Sequence, residues 1–168
     1  MTMHTTAMSP ILEKEAFCRQ ILQHQDAMFR TAKAILRNDQ DAEDAVQEAI
    51  CAAYTARATL REMDKCKPWL LRILANRCYD MYRKRKQTVD LAQVQEILPA
   101  GETDPTEGLA LWQAVMALDD TLRAPVTLFY YDGLSVREIS EILGISQPAV
   151  KTRLSRGRER LRRMLREE

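Results

Sequence analysis

The sequence predicts an all-α protein, on three observations. Apolar residues recur at three- and four-residue steps along most of its 168 residues. No run of alternating β-branched residues stands out, and five Gly and six Pro leave few turns. A hydrophobic fraction of 46% beside 29% charged residues fits a folded globular chain rather than a disordered one. Composition divides it into two small helical domains, expected at 10–86 and 108–168, joined by an acidic linker at 87–107.

The elements follow in order. "FCRQILQHQDAMFRTAKAILRND" sets Phe17, Ile21, Met28, Ala32, Ile35 and Leu36 at helical steps and predicts one helix or a broken pair. "NDQDAEDAVQEAICAAYTA" predicts a second helix, capped by Asp41 with Asp44 in the capping-box position, and buried along Ala45, Val46, Ala49, Ile50 and Ala53. A third begins near Pro68, where proline suits a first turn. Its wheel buries Leu70, Ile73, Leu74 and Met81 and sets Arg72, Asn76, Tyr79 and Arg83 on the opposite face. Basic, amide and aromatic groups interleaved in this way suit a single strand whose bases are free for stacking. Trp69, at an apolar helix start, is expected in the core. "QTVDLAQVQEILPAGETDPTEG" then holds five acids and neither Lys nor Arg, which marks the linker.

The C-terminal part carries the most specific pattern. Ser135 and Glu138 form a capping box opening a short helix whose Ile139, Ile142 and Leu143 face inward. Gly144 sits where a helix end needs positive φ, and Ser146 caps the next helix with Pro148 in its first turn. Helix, glycine turn, helix is the helix-turn-helix layout. On the last helix Val150, Leu154, Gly157, Leu161 and Met164 or Leu165 share the packing side. Thr152, Ser155, Arg156, Glu159 and Arg163 share the outer side, with Lys151 at its margin: short polar and long basic groups, as a groove-reading helix requires. Arg153, Arg158, Arg160 and Arg162 flank it within reach of phosphates. The formal net charge is only +1, so this concentration of cations is a matter of placement.

Several function classes are excluded. No apolar run reaches a membrane span, and the N-terminus lacks the layout of a secretory signal. Cys18, Cys51, Cys66 and Cys78 are scattered among only two histidines, which argues against zinc or a disulfide scaffold and for free thiols in a reducing cytoplasm. No metal cluster, phosphate-cradling loop or nucleophile–base set is present, so neither an enzyme nor a cofactor is expected.

"DAEDAVQEAICAAY" followed by "KPWLLRILANRCYDMYRKRK" resembles region 2 of bacterial RNA polymerase sigma factors, and "GLSVREISEILGISQPAVKTRLSRGRERL" resembles their region 4. The order, and the lack of a domain between them, look like the extracytoplasmic-function (group 4) class. The resemblance implies a promoter-specificity subunit whose partners are core RNA polymerase and promoter DNA, with a possible anti-sigma factor. Asp41, Asp44, Gln47 and Glu48 match the surface for the polymerase clamp helices. The loop from Ala58 to Lys67, Lys65 and Lys67 included, matches the segment that captures a flipped −10 base. Arg72, Asn76, Arg77, Tyr79 and Arg83 match the −10 reading and strand-separating surface. "LWQAVMALDDTLRAPVTLFYYDG" matches the helices that hold the flap tip; most of Leu111, Val115, Leu118, Leu122, Val126 and Phe129 should be core. Lys151, Thr152, Ser155 and Arg156 match the −35 groove positions, with Arg137, Gln147 and Arg153 on the backbone. "EMDKCKP" departs from relatives that carry an aromatic there, which bears on the captured base. The competing reading is an independent helix-turn-helix regulator that binds duplex DNA without polymerase.

Overall fold

A computed structural model describes residues 13–88 and 107–166, all helix, turn or coil with no strand among them. Most of the predicted linker lies outside the described residues.

The first group is three helices: α1 (Lys14–Leu36), α2 (Asp39–Thr55) and α3 (Cys66–Thr88). α1 is one unbroken helix. It ends where Arg37 turns left-handed at φ 61°, its N–H donating to the Lys33 carbonyl. The chain then re-enters a helix at once, because the Asn38 side chain accepts the Asp41 N–H at 2.9 Å. The cap is therefore Asn38, not Asp41 as expected. Asp41 instead lies inside the first turn, and its carboxylate receives Arg85 of α3 at 2.7 Å. Ala42, Ala45, Ala49 and Ala53 give α2 a buried stripe of methyls that permits close approach to its neighbours.

The core joins Met28, Ala32 and Ile35 of α1 to Leu71, Leu74, Ala75 and Cys78 of α3. That stripe on α3 is wider than the predicted one: Leu71, Ala75 and Cys78 are fully buried, while Ile73 and Met81 are half-buried. A smaller cluster of Phe17, Ala53, Leu60, Cys66 and Leu70 pins the loop between α2 and α3, which folds as two 3₁₀ turns, Arg57–Thr59 and Met63–Lys65. Trp69 packs half-buried against this cluster, its indole N–H donating to Thr59 Oγ1 at 3.3 Å.

The second group is α4 (Glu107–Met116), α5 (Asp120–Val126), α6 (Val136–Leu143) and α7 (Gln147–Arg166). Between α5 and α6 the chain widens into a π-helical turn, Thr127–Tyr131. The apolar core of this group includes Val115, Leu118, Leu122, Val126, Leu128, Ile139, Ile142, Val150 and Leu154. Leu111 is exposed and Phe129 half-buried. α7 lies close on α5 at Gly157, where a β-carbon would fall 2.5 Å from Val126 Cγ2. This close approach explains a glycine in a helix interior, where it otherwise costs about 1 kcal/mol relative to Ala.

The two groups touch. α1 packs on α5 and the π-helical turn, α3 packs on α6, and one apolar cluster runs through both.

Candidate nucleic-acid interface

α7 is positioned by the predicted caps. The Ser135 hydroxyl accepts the Glu138 N–H at 3.1 Å while Glu138 accepts the Ser135 N–H at 3.0 Å. Gly144 turns at φ 66°, and Ser146 accepts the Ala149 N–H at 3.2 Å. Val150, Leu154 and Gly157 are buried, Leu161 and Met164 half-buried, and Leu165 is exposed, so Met164 continues the packing side. Gln147, Lys151, Thr152, Ser155 and Arg156 are all exposed on the other side.

Details of that face decide what each group can offer. The Thr152 hydroxyl donates to the Pro148 carbonyl at 3.0 Å, so the branch left free is its methyl. Arg158 donates to the Tyr130 hydroxyl at 3.1 Å. Glu159 accepts from Arg162 at 3.4 Å and Arg163 at 3.3 Å, which makes it a brace for cations rather than a base contact. Ser155, Arg156, Arg158, Arg160 and Arg163 converge on an open concavity of about 670 Å³. Arg137 is exposed and paired with Glu141 at 3.6 Å. Such an array can hold a polyanion by charge and read base edges with the groups nearest the helix start.

On α3 the predicted face is only partly free. Arg72, Asn76, Arg77 and Arg83 are exposed, Arg83 pairing with Asp80 one turn before it. Tyr79 differs from expectation: it is half-buried against the core, and burial pushes its phenol up to about 12. The reason is the second group, whose α6 covers this part of α3. Arg153, expected on the flank of α7, is half-buried and lines the same groove as Tyr79. Lys67 also differs from a free cation, since its ammonium donates to the Asp132 carbonyl at 2.6 Å. Lys65 is exposed beside Glu62 at 3.5 Å.

The acidic face of α2 is open. Asp44, Gln47 and Glu48 are exposed together with Cys51, at three- and four-residue steps. Asp41 is drawn aside by Arg85 and does not fully share it. Cys66 and Cys78 are buried, which pushes their thiols up to about 11 and about 12, so neither is a reactive thiolate near neutral pH. Among the described residues no His, Cys, Asp and Glu cluster could hold a metal, and no helix is long and apolar enough to cross a membrane.

Missed by sequence reasoning were Arg30, Thr31, Arg123 and Asp132, which meet between the groups. No local pattern marks them, because their contacts span about a hundred residues of chain.

Comparison with known proteins bears on both halves. Residues 21–88 match the family model of Sigma-70 region 2, and residues 108–161 match that of Sigma-70, region 4. The chain is 33% identical to the ECF RNA polymerase sigma factor SigW of Bacillus subtilis, over 92% of this chain and 91% of that one. It is 31% identical to the ECF RNA polymerase sigma factor SigM of Mycobacterium tuberculosis, over 91% of this chain and 79% of that one. Among solved structures, the sigma factor RpoE from Bartonella quintana, in complex with the anti-sigma factor NepR, superposes with a TM-score of 0.75 at 25% identity. That match covers 90% of this chain and 98% of the other.

Proposed function

Since the chain belongs to the sigma-70 family of RNA polymerase sigma factors, in its extracytoplasmic-function class, we propose that its two basic helix faces read two separate promoter elements while α2 docks on polymerase. As a sigma factor it serves promoter-specific transcription initiation. In region 4, Lys151, Thr152, Ser155 and Arg156 enter the −35 major groove. Arg137, Gln147 and Arg153 fix the helix on the backbone. Arg156 suits the O6/N7 edge of a guanine, and the free methyl of Thr152 suits the methyl of a thymine.

In region 2, Asp44, Gln47 and Glu48, with Asp41 behind them, meet the clamp helices of core polymerase; the apolar side chains around Leu111 meet its flap tip. The α3 residues Arg72, Asn76, Arg77, Tyr79 and Arg83, with Lys65 and Lys67 of the preceding loop, hold the −10 element as a separated strand. No hydrolysis drives that separation. Base extrusion costs a few kcal/mol, which contacts to unstacked bases offset. The protein acts where polymerase does, in the cytoplasm, contributes binding rather than a catalytic step, and takes an anti-sigma factor as a further partner.

One observation carries this reading: the exposed Gln147–Arg156 face stands in one chain with an acidic α2 and a basic α3. The test is to combine the purified chain with core polymerase, transcribe a genomic library in vitro and sequence the 5′ ends. Two shared elements upstream of the start sites are expected. Tight duplex binding by the chain alone, with no co-migration with core, would overturn it in favour of an independent regulator.

A further inference from the structure

α7 carries cations on both flanks of its outer face. On one flank Gln147, Lys151, Ser155, Arg158 and Arg162 stand at four-, four-, three- and four-residue steps, all exposed. The first three serve the −35 reading proposed above; Arg158 and Arg162 have no role there. From Lys151 to Arg158 the helix advances about 10 Å, close to the ~12 Å width of a major groove. With the start of α7 seated among the bases, Arg158 therefore stands at the edge of the groove, where the phosphates are.

A residue from outside the helix-turn-helix holds Arg158 there. The guanidinium donates to the Tyr130 hydroxyl at 3.1 Å. Tyr130 belongs to the π-helical turn Thr127–Tyr131, which the Asp132 N–H closes by donating to the Thr127 carbonyl, five residues back, at 3.2 Å. Wide turns of this kind are rare and are frequent at functional sites. This one splits a tyrosine pair: Tyr131 meets Trp112, ring centroids 5.3 Å apart, while Tyr130 stays 48% exposed. Phe129 meets the Tyr130 ring nearly edge-on, centroids 4.9 Å apart and planes at 78°, and so fixes where the hydroxyl sits. Tyr130 buries little, so packing does not account for its placement.

The pair has donors left over. A phenol oxygen that accepts a hydrogen bond keeps its own proton to donate, and the cation beside it polarises that proton. Arg158 uses one of its five N–H groups on Tyr130 and has no carboxylate partner among the described residues, whereas Arg162 and Arg163 share Glu159. The concavity beside Arg158 is lined by five arginines against two acids, Asp119 and Glu159, and so favours an anion. A phenol O–H next to a forked guanidinium suits a phosphate, whose oxygens accept from both. The flank also favours nucleic acid over an acidic side chain, because Gln147 and Lys151 continue it in line and match a row of phosphates.

We infer that Tyr130 and Arg158 form a phosphate clamp on the −35 duplex, on the backbone flanking the bases that α7 reads, with Tyr130 positioning Arg158 and donating to the same phosphate. The inference rests on the reading of α7 as the −35 helix. Its test uses the full chain bound to core polymerase and a promoter that this holoenzyme transcribes. Single phosphates of the −35 region are replaced, one at a time, by neutral methylphosphonates, and the affinity for each duplex is measured. For the wild type, one replacement should weaken binding about tenfold. The same replacement should cost Tyr130→Phe and Arg158→Ala about threefold at most, since each variant has already lost part of that contact. Preference among −35 sequences should be unchanged in both, and the salt slope should fall by about 1 in Arg158→Ala. Tyr130→Phe keeps the ring and its contact with Phe129, so its melting temperature should match the wild type. A role confined to folding would lower the melting temperature and leave the phosphate profile alone. Full wild-type sensitivity at that phosphate in either variant overturns the clamp, the outcome expected if this flank meets an acidic protein instead. If no −35 replacement affects the wild type and Arg156→Ala keeps its sequence preference, the −35 reading of α7 falls, and the clamp with it.

Discussion

α7 and α3 carry comparable arrays of basic and polar side chains, and they differ in what stands before them. α7 has its inner side on α5 and its outer side free, with Gln147, Lys151, Thr152, Ser155 and Arg156 all exposed. α3 has its own bundle on one side and α6 on another, so Tyr79 is half-buried, while Arg72, Asn76, Arg77 and Arg83 stay exposed beside α6. The difference teaches that a helix wheel identifies which residues share a face, but not whether another part of the chain covers it. One basic face stands clear, and the other shares its helix with a neighbour.

The largest expected effect tests the contact between the two helical groups. Arg123→Met removes a fully buried guanidinium and leaves the Ala34 and Leu118 carbonyls without it, so stability should fall by about 3 kcal/mol. Urea unfolding measures this, and a change under 1 kcal/mol would mean that water replaces the lost bonds and the junction is loose. Next comes the presented helix. Arg156→Ala should cost about 2 kcal/mol at the −35 element and relax the preference at one base pair. Arg160→Ala should weaken all sequences alike and lower the salt slope by about 1. Equal loss of sequence preference in both variants would show that the outer face of α7 has been assigned to the wrong side.

A smaller effect concerns the acidic surface of region 2. Asp44→Lys should lower affinity for core polymerase by about 1 kcal/mol at low salt and leave the melting temperature unaltered, because Asp44 is exposed and accepts a hydrogen bond from Gln40 at 3.2 Å. Competition for core against the wild type reads it directly; equal competition would remove the clamp assignment. The smallest effect is also the sharpest. If the free methyl of Thr152 meets a thymine, replacing that thymine by deoxyuridine should weaken wild-type binding by about 0.5–1 kcal/mol and leave Thr152→Ser indifferent. An identical loss in both would place the methyl elsewhere.

How much of this was legible follows from the range of the interactions. The α6 capping box, the Gly144 turn and the Ser146 cap are local, within three residues, and the sequence displays them. The inner side of α7 was legible for the same reason. Asn38 was passed over for Asp41 because several capping residue types crowd "RNDQD" and only the turn at Arg37 selects among them. Leu71, Ala75 and Cys78 stand at three- and four-residue steps with Leu74, so helical spacing admits them; the stripe drawn through Leu70, Ile73 and Met81 is turned too far around the helix. Arg30 with Asp132, 102 residues apart, lies beyond any local pattern. An arginine among charged neighbours reads as solvated until its partner is seen.

The contact of Gly157 with Val126 has one more consequence. It belongs to the buried side of α7, which packs on α4, α5 and α6, whereas the outer-face residues are exposed. Gln147, Lys151, Thr152, Ser155 and Arg156 can therefore be exchanged as a set without disturbing the seat. If that face reads the −35 element as proposed, a library randomised at those five positions should yield orthogonal promoter specificities on an unaltered scaffold.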